Sequence, residues 1–455
     1  MKVLMLQKSL WMKSNNDIKK EFLESFFKKI QDLTYGVIDV DDNLNNLISN
    51  DIDVWVKKNN LIQLTELLYQ HSKSNNWIIK RMNISPRVNG KLEAKYALLL
   101  PVSPFPVIQI DLWVDIHWRS FPIMNSDLTK FIQKSTYFKK VDNEKSLFIQ
   151  IIKDLLYKNN LTNKVKDRIK KNNLSINNLN FFLDKYYNLK CQNKISEIIK
   201  LKTENSANSG EFKRSLIFNT IKNRPLIQIR YFFNYCFRFI NSKILSQDGM
   251  HVILLGPDGA GKSTIGELVY DSALVNDFYE EKIYGHTNFK IIPPLQLFLK
   301  PFKNNYTKKE YIPRDIKKLS TIKAMIYPLY YLIDYMLGFL WLYKKKTNGG
   351  AFVIFDRYFD EYYIQKTFHN LSNKYLNILQ FFVPKPTLYF LISDNANSIY
   401  ERKQELPLGE IKEQLIKYTK LIESKDNGFI IKNDGTPVSA ANQILSVISA
   451  NINNT

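Results

Sequence analysis

The stretch Gly256-Pro-Asp-Gly-Ala-Gly-Lys-Ser263 decides the fold of the second half of the chain, because it matches the phosphate-loop pattern G-x-x-x-x-G-K-[ST]. It follows the apolar run Met250–Leu255 and precedes the helix-like run Thr264–Tyr270. A strand, a glycine-rich turn and a helix in this order place backbone N–H groups and a helix N-terminus around an anion. The stretch therefore predicts a site that grips the phosphates of a nucleoside triphosphate.

Each side chain of this loop has its own predicted task. The glycines let the backbone N–H groups turn inward, Lys262 reaches the terminal phosphates, and Ser263 ligates Mg²⁺. The residues predicted to bind ATP are Gly256, Gly259, Gly261, Lys262, Ser263 and Thr264.

A second apolar run, Ala351-Phe-Val-Ile-Phe-Asp-Arg-Tyr358, ends in an acid and a base. At the end of a strand, Asp356 can hold Mg²⁺ directly or through water, and Arg357 can bind an acceptor or neutralise charge in transit. Further on, Arg402 and Lys403 lie in a charged, helix-like segment. They either close over the triphosphate as a cationic lid or belong to a solvated helix face.

Residues 248–455 resemble the thymidylate kinase family of nucleoside monophosphate kinases. The resemblance rests on Gly256–Thr264, on Asp356–Tyr358 and on Pro384–Pro386 followed by Arg402. It implies an α/β fold with a parallel sheet flanked by helices, ATP and Mg²⁺ as cofactors, and Ser263 and Asp356 as metal ligands. The catalytic residues that it implies are Lys262, Asp258 near the acceptor, Asp356, Arg357 on an acceptor phosphate, and Arg402 in the lid.

The family's thymine-reading motifs are not recognisable in this chain. Lys282–Asn288 stands where the family has an Arg-Glu-Pro turn, and Phe359–Lys366 stands where it has Ser-Ser and Tyr-Gln pairs. An insertion over residues 290–346 predicts a reshaped acceptor pocket. These departures make the chain more similar to divergent thymidylate-kinase-like proteins that accompany surface-polysaccharide or nucleotide-modifying genes.

The first half carries a pair of acids, Asp51 and Asp53, predicted to lie on one side of a strand because residues two apart share a face. With Asp111, or Asp115 as its competitor, they form a candidate metal site. The pattern resembles the nucleotidyltransferase superfamily, although only Gly36 stands near the place of its glycine turn. The alternative is a strand edge made soluble by charge.

The chain of 455 residues is long enough for more than one domain. The polar, small-residue stretch 202–211 marks the predicted linker. The predicted organisation is an α+β nucleotidyltransferase-like domain (1–127), its helical extension (128–201), a linker with a basic aromatic helix (202–247), and the phosphate-loop domain (248–455).

The formal net charge of +22 favours anionic partners. Residues 224–240 mix aromatics with Arg230 and Arg238, which predicts either a helix at an anionic membrane surface or one packed within the protein. The apolar stretch 324–343 contains Pro328 and Asp334 and predicts a buried helix. The charge also leaves nucleic acid open as a partner, and a homodimer stays open.

Two cysteines without a C-x-x-C pair suit a cytoplasmic protein, free or peripheral at the inner face of the membrane. The sequence predicts an ATP-dependent phosphotransferase acting on a nucleoside monophosphate or a related small phosphorylated acceptor. Two alternatives stay open. One is transfer to a sugar or glycan precursor of a surface polysaccharide, and the other is a nucleotide-sensing module with a phosphate-loop switch.

Overall fold

The computed structural model describes most of the chain, which divides into two compact units. The first unit comprises Met1–Leu100 and Pro106–Ile244, and the second comprises Pro101–Phe105 and Leu245–Thr455. The described residues are 14–38, 47–48, 51–82, 95–114, 116–118, 121–124, 127–158, 160–171, 209–223, 225–244, 249–279, 281–285, 291–293, 295, 320–338 and 350–452. The finer division into four parts stays a prediction.

The first unit combines helices with a seven-stranded mixed sheet of order β3-β4-β5-β2-β1-β9-β8 and a separate β6-β7 hairpin. Its strands are β1 (Tyr35–Ile38), β2 (Ile52–Val56), β3 (Ile78–Met82), β4 (Lys95–Leu99), β5 (Val107–Trp113), β6 (Ile116–Trp118), β7 (Phe121–Met124), β8 (Ile132–Lys134) and β9 (Lys139–Val141). Its helices are α1 (Asn15–Lys29), α2 (Leu61–Ser74), α3 (Asn143–Lys153), α4 (Asn163–Lys171), α5 (Ser209–Asn223) and α6 (Pro225–Ile244).

The segment after residue 127 differs from the predicted helical extension. Strands β8 and β9 lie inside it, and β9 pairs in parallel with β1 through Val37 and Lys140. Their short, lysine-rich runs carry little strand signal of their own, so their pairing with the sheet determines the structure. Helix α3 then follows, capped by Asp142, whose carboxylate accepts from the N–H groups of Glu144 and Lys145.

The predicted linker is shorter in the structure than in the sequence. Ser209–Glu211 form the first turn of α5, and α6 follows after one intervening residue, so two consecutive helices stand where one was expected. A Pro at the first position of α6 suits a helix start, because its missing N–H has no partner there. The rest of the predicted linker, residues 202–208, lies outside the described residues.

The second unit is built on a five-stranded parallel sheet of order β11-β12-β10-β13-β14. Its strands are β10 (Met250–Leu255), β11 (Lys282–Gly285), β12 (Phe352–Asp356), β13 (Leu388–Ser393) and β14 (Gly428–Lys432). Its helices are α7 (Lys262–Tyr270), α8 (Ala273–Phe278), α9 (Thr321–Gly338), α10 (Glu361–Ile364), α11 (Asn373–Phe381), α12 (Ala396–Arg402), α13 (Leu408–Glu423) and α14 (Pro437–Ile452).

The parallel sheet predicted for this half of the chain is confirmed. Every residue of β10 and β12 is buried, as expected for strands covered by helices on both faces. Carboxyl ends of parallel strands meet at one edge, and β10 and β12 are neighbours, so the segments after Leu255 and Asp356 lie side by side.

Helix α9 is only half buried, which corrects the prediction of a buried helix. Ala324, Leu332 and Tyr335 belong to the core beside Tyr358 and Phe359. Asp334 is fully buried on the same side, where its carboxylate accepts from the N–H groups of Ile291 and Ile292. The opposite side exposes large apolar residues: Ile322, Met325, Ile326, Leu329, Ile333, Met336 and Leu337. Among the described residues, no helix combines the length and apolarity needed to cross a bilayer.

The buried ring of His251 on β10 predicts a pH-dependent stability for the second unit. Its ring is fully buried, at 5.4 Å from each of the rings of Phe355 and Tyr358, and burial lowers the pKa of His251 to about 3 from its ordinary value of 6.5. Above pH 6.5 the ring is neutral whether the unit is folded or unfolded. Below it, only the unfolded chain takes up the proton, so stability is lost as the pH falls towards about 3.

We expect the free energy of unfolding to fall by about 1.4 kcal/mol for each unit by which the pH is lowered below 6.5, because only the unfolded chain protonates His251. Urea unfolding at several pH values between 7 and 5, roughly the upper part of the window, measures it. His251→Leu should flatten the dependence, whereas His369→Leu, at an exposed position, should leave it as in the wild type. An identical slope in wild type and His251→Leu would refute the assignment.

Candidate functional site

The loop between β10 and α7 has the backbone of a phosphate cradle. Gly256, Gly259 and Gly261 all have positive φ, at 144°, 89° and 95°, where side chains are strained. A Cβ on Gly256 would lie 2.6 Å from the Ile392 carbonyl oxygen, so the loop tolerates no larger residue there. Gly261 immediately precedes α7, and the N-terminal end of α7 faces the loop.

Lys262 is folded into this loop. Its ammonium group donates to the carbonyl oxygens of Gly256 and Pro257 at 2.8 and 2.9 Å and lies 3.9 Å from Asp258. The side chain is only 5% exposed, and burial lowers the pKa of Lys262 although Asp356 and Asp258 oppose the shift. The two carbonyl oxygens compensate the charge of this buried ammonium group only in part. An anion bound in the cradle would supply a full counter-charge.

Ser263 and Asp356 meet at the edge of the sheet, as their positions at a helix start and a strand end predict. The Ser263 hydroxyl donates to Asp356 Oδ2 at 2.6 Å. The other carboxylate oxygen of Asp356, Oδ1, is buried and has no hydrogen-bond partner. A hydroxyl and a carboxylate with an unused buried oxygen are the oxygen ligands that Mg²⁺ prefers, so this pair fits the ion that the sequence implies.

Arg357 follows directly in a strained backbone conformation. Its φ of 84° lies in the left-handed region, and its N–H donates to the Leu254 carbonyl, which fixes the turn after β12. The turn brings the guanidinium onto the Asp258 carboxylate, and the two form a hydrogen-bonded ion pair. The structure thus brings an acid of the loop together with a base that follows the neighbouring strand, and binding of an acceptor by either residue stays a prediction.

This ion pair fixes the charge of both partners. Burial disfavours the Asp258 carboxylate, but Arg357, Lys262 and Lys403 together outweigh it and hold the pKa of Asp258 below its ordinary value. Burial likewise opposes the charge on Arg357, and the carboxylates of Asp258, Glu361 and Asp356 raise its pKa above the ordinary value. Near neutral pH the site therefore presents a carboxylate and a guanidinium.

Glu361 is a member of the site that the sequence did not point to. It is 5% exposed, and its carboxylate accepts from the Tyr418 hydroxyl at 2.6 Å and from the Gln365 amide at 2.9 Å. Burial raises the pKa of Glu361, against the influence of Lys262 and Arg357. Its position five residues after Asp356 could have marked it as a candidate site residue. Its partner Tyr418, however, lies 57 residues further along the chain.

Helix α12 lies against the loop. A Cβ on Gly259 would meet both the Ile399 carbonyl oxygen and the Lys403 Cβ at 3.0 Å. Arg402 forms an ion pair with Asp394, and its guanidinium also lies 3.4 Å from the Asn433 carbonyl oxygen. Arg402 is therefore held beside the site and not directed into it, and closure of α12 as a lid stays a prediction.

Asn433 links the loop to the end of β14. Its amide donates to the Ala260 carbonyl at 2.9 Å, and the residue is 5% exposed. The turn that begins at Asn433 therefore contacts the phosphate loop. Thr264, the last of the predicted ATP-binding residues, is exposed in the first turn of α7.

The predicted acidic site of the first unit is assembled only in part. Asp53 on β2 lies directly opposite Asp111 on the parallel neighbour β5, so both side chains leave the same face. Asp51 is the residue directly before β2 and does not lie on the strand. Asp115 lies outside the described residues. The two acids that the structure places on neighbouring strands are thus Asp53 and Asp111, whereas the pair predicted to lie on one strand was Asp51 with Asp53.

Two lysine side chains form ion pairs with these acids. Asp51 accepts from Lys95 at 2.7 Å. One oxygen of Asp53 accepts from Lys153 at 2.8 Å and the other from the Trp113 indole N–H at 2.9 Å. Throughout the part of the chain that the structure describes, no three His, Cys, Asp or Glu side chains form a group that could hold a metal. Metal binding by Asp51, Asp53 and Asp111 stays a prediction, and in this arrangement ammonium groups hold two of the three.

Comparison with known proteins leaves the family open. No protein-family model matches the chain, and no curated protein matches it either. A solved structure of thymidylate kinase from Ehrlichia chaffeensis is similar to this chain at a TM-score of 0.31 and 14% identity, covering 44% of this chain and 100% of that one.

Proposed function

We propose that the second unit is an ATP- and Mg²⁺-dependent phosphotransferase that moves the γ-phosphoryl group to a nucleoside monophosphate or a related small phosphorylated acceptor. The observation that carries the proposal is the phosphate cradle with Ser263 hydrogen-bonded to Asp356 at its rim. Phosphoryl transfer needs positioning and charge neutralisation more than covalent chemistry, and this site supplies both.

The residues divide the task between donor and metal. The N–H groups of the loop and Lys262 would hold the donor phosphates, with the lysine leaving the carbonyls that it now contacts. Ser263 and Asp356 would hold Mg²⁺, which when bound neutralises charge on the phosphate oxygens.

The charges favour a phosphate over a hydroxyl as acceptor. A hydroxyl needs a general base with a pKa near the working pH, and the pKa of Asp258 is shifted the wrong way. Glu361 has a raised pKa, but both of its oxygens already accept hydrogen bonds. A phosphate oxygen is nucleophilic without a base, and Arg357 is a cation suited to bind it bidentately in place of Asp258.

For the first unit, the lysine contacts favour a binding role over nucleotidyl transfer. A pair of metal ions would have to displace Lys95 from Asp51 and Lys153 from Asp53. We propose that this unit is a binding module without nucleotidyl transfer and that the phosphate-loop unit carries the chemistry.

One experiment with two labels tests both proposals. The full chain is incubated with Mg²⁺, a panel of nucleoside monophosphates and sugar phosphates, and ATP labelled at either the γ- or the α-phosphate. We expect γ-label in an acceptor, whereas α-label should appear only in adenine nucleotides, because ADP keeps the α-phosphate of the donor. α-Label in any other product would show nucleotidyl transfer, and the absence of γ-transfer to every phosphorylated acceptor would contradict the proposed function.

A further inference from the structure

The helices α5 and α6 expose an unusual set of apolar side chains. Exposure reaches 81% for Leu226, 67% for Phe233 and 66% for Phe218. On α6 the exposed positions Leu226, Ile229 and Phe233 repeat at intervals of three and four and share one face, whereas Gln228 on the other side is buried. We define the α5–α6 surface by its exposed apolar residues: Phe218, Ile221, Leu226, Ile229, Phe232 and Phe233.

Basic side chains accompany these residues. Arg214 and Lys222 share the exposed face of α5 with Phe218, since they lie four residues to either side of it. Arg230 is exposed at the margin of the apolar face of α6. No Asp or Glu occurs anywhere in residues 212–247, whereas Lys and Arg occur at positions 213, 214, 222, 224, 230, 238 and 243.

We infer that the α5–α6 surface binds the anionic surface of a lipid bilayer. An apolar, aromatic-rich face flanked by Lys and Arg is the pattern of helices that lie in the membrane interface. Such helices insert their apolar side chains between the headgroups, while the basic groups contact lipid phosphates. The absence of acids removes the repulsion that an anionic leaflet would otherwise exert.

The charge and the side-chain types of this surface argue against two other binding partners, a second copy of the protein and single-stranded nucleic acid. A second copy of the same surface would oppose basic groups with basic groups, which costs free energy in a symmetric interface. Single-stranded nucleic acid binds aromatic rings by base stacking, and half of the exposed apolar residues here, Ile221, Leu226 and Ile229, are aliphatic. Hydrocarbon accommodates both kinds of side chain.

The test is sedimentation of the full chain with vesicles of phosphatidylcholine, with and without phosphatidylglycerol. We expect binding to the anionic vesicles only, weakened by salt. Phe232→Ser with Phe233→Ser should lower the partition coefficient, because two apolar side chains no longer insert between the headgroups. Separately, Lys222→Glu with Arg230→Glu should lower it by about tenfold or more, because each basic residue near such a surface contributes roughly fivefold.

Matched controls lie elsewhere on the first unit. Ile62→Ser removes an apolar side chain that is 61% exposed on α2, and Lys28→Glu with Lys73→Glu reverses two exposed charges. Both controls should sediment as the wild type does. The inference is overturned if the wild type ignores anionic vesicles, if the α5–α6 variants bind like the controls, or if Phe232→Ser with Phe233→Ser dissociates a dimer without changing vesicle binding.

Discussion

Replacing Lys262 with methionine should lower the rate of phosphoryl transfer by about 100- to 1,000-fold, the usual cost of losing one buried charge-stabilising donor. Methionine keeps most of the length of the side chain and removes its charge. The ammonium group is buried, donates to two carbonyl oxygens and lies 3.9 Å from Asp258. Its loss should therefore cost catalysis far more than folding, and the unfolding midpoint should stay close to that of the wild type.

Lys420→Met is the matched control for this change, because Lys420 is exposed on α13 of the same unit. It removes the same charge from the same unit and should transfer phosphate at the wild-type rate. Initial rates with saturating ATP, measured beside thermal unfolding curves, separate lost chemistry from lost structure. Wild-type turnover by a folded Lys262→Met protein would contradict the role of the loop.

Replacing Asp356 with asparagine should lower the rate by about 100-fold or more and raise the Mg²⁺ concentration needed for half-maximal activity. Asparagine preserves the shape of the side chain and a hydrogen-bonding group for Ser263. What it removes is the negative charge beside the buried, unpartnered Oδ1. A metal ligand loses affinity for the ion under this change, whereas a merely structural carboxylate would alter stability instead.

Asp271→Asn controls for the loss of charge. Asp271 is 72% exposed, and its pair with Lys282 lies at the surface, where such pairs contribute little. Rates measured over a range of Mg²⁺ concentrations should coincide for this control and the wild type. An unchanged Mg²⁺ dependence in Asp356→Asn would remove Asp356 from the metal site.

Local features of the second unit could be predicted because its motif is continuous in the sequence. The glycine spacing predicted a loop whose N–H groups turn inward, and Gly256, Gly259 and Gly261 all have positive φ in the structure. The apolar run ending at Asp356 specified a strand end, and the parallel order of the sheet brings that end to Ser263. The loop and the contact between Ser263 and Asp356 therefore depend on two short segments, each of which the sequence identifies.

Contacts between distant segments could not be read from one sequence. Tyr418 reaches Glu361 across 57 residues, and Asn433 reaches Ala260 across 173. Lys153 on α3 reaches Asp53 across 100 residues of chain. The pattern of acids alone had suggested a metal ion at the place where the structure has this lysine. Strand order and helix packing decide such contacts, and no local periodicity encodes them.

Burial was predicted least well where a helix has two different sides. The run of residues 324–343 is mostly apolar in sequence, yet within its described part Leu329 and Ile333 are exposed while Leu332 and Tyr335 are buried. Hydrophobicity alone does not identify the face that meets the core.

The most direct test of the account is a calorimetric titration of ATP, with Mg²⁺ present, into the full wild-type chain and into Lys262→Met. The account predicts saturable binding by the wild type and binding about 100-fold weaker in the variant, since the phosphates would lose their buried cation. No binding by the wild type, or equal binding by both proteins, would contradict it.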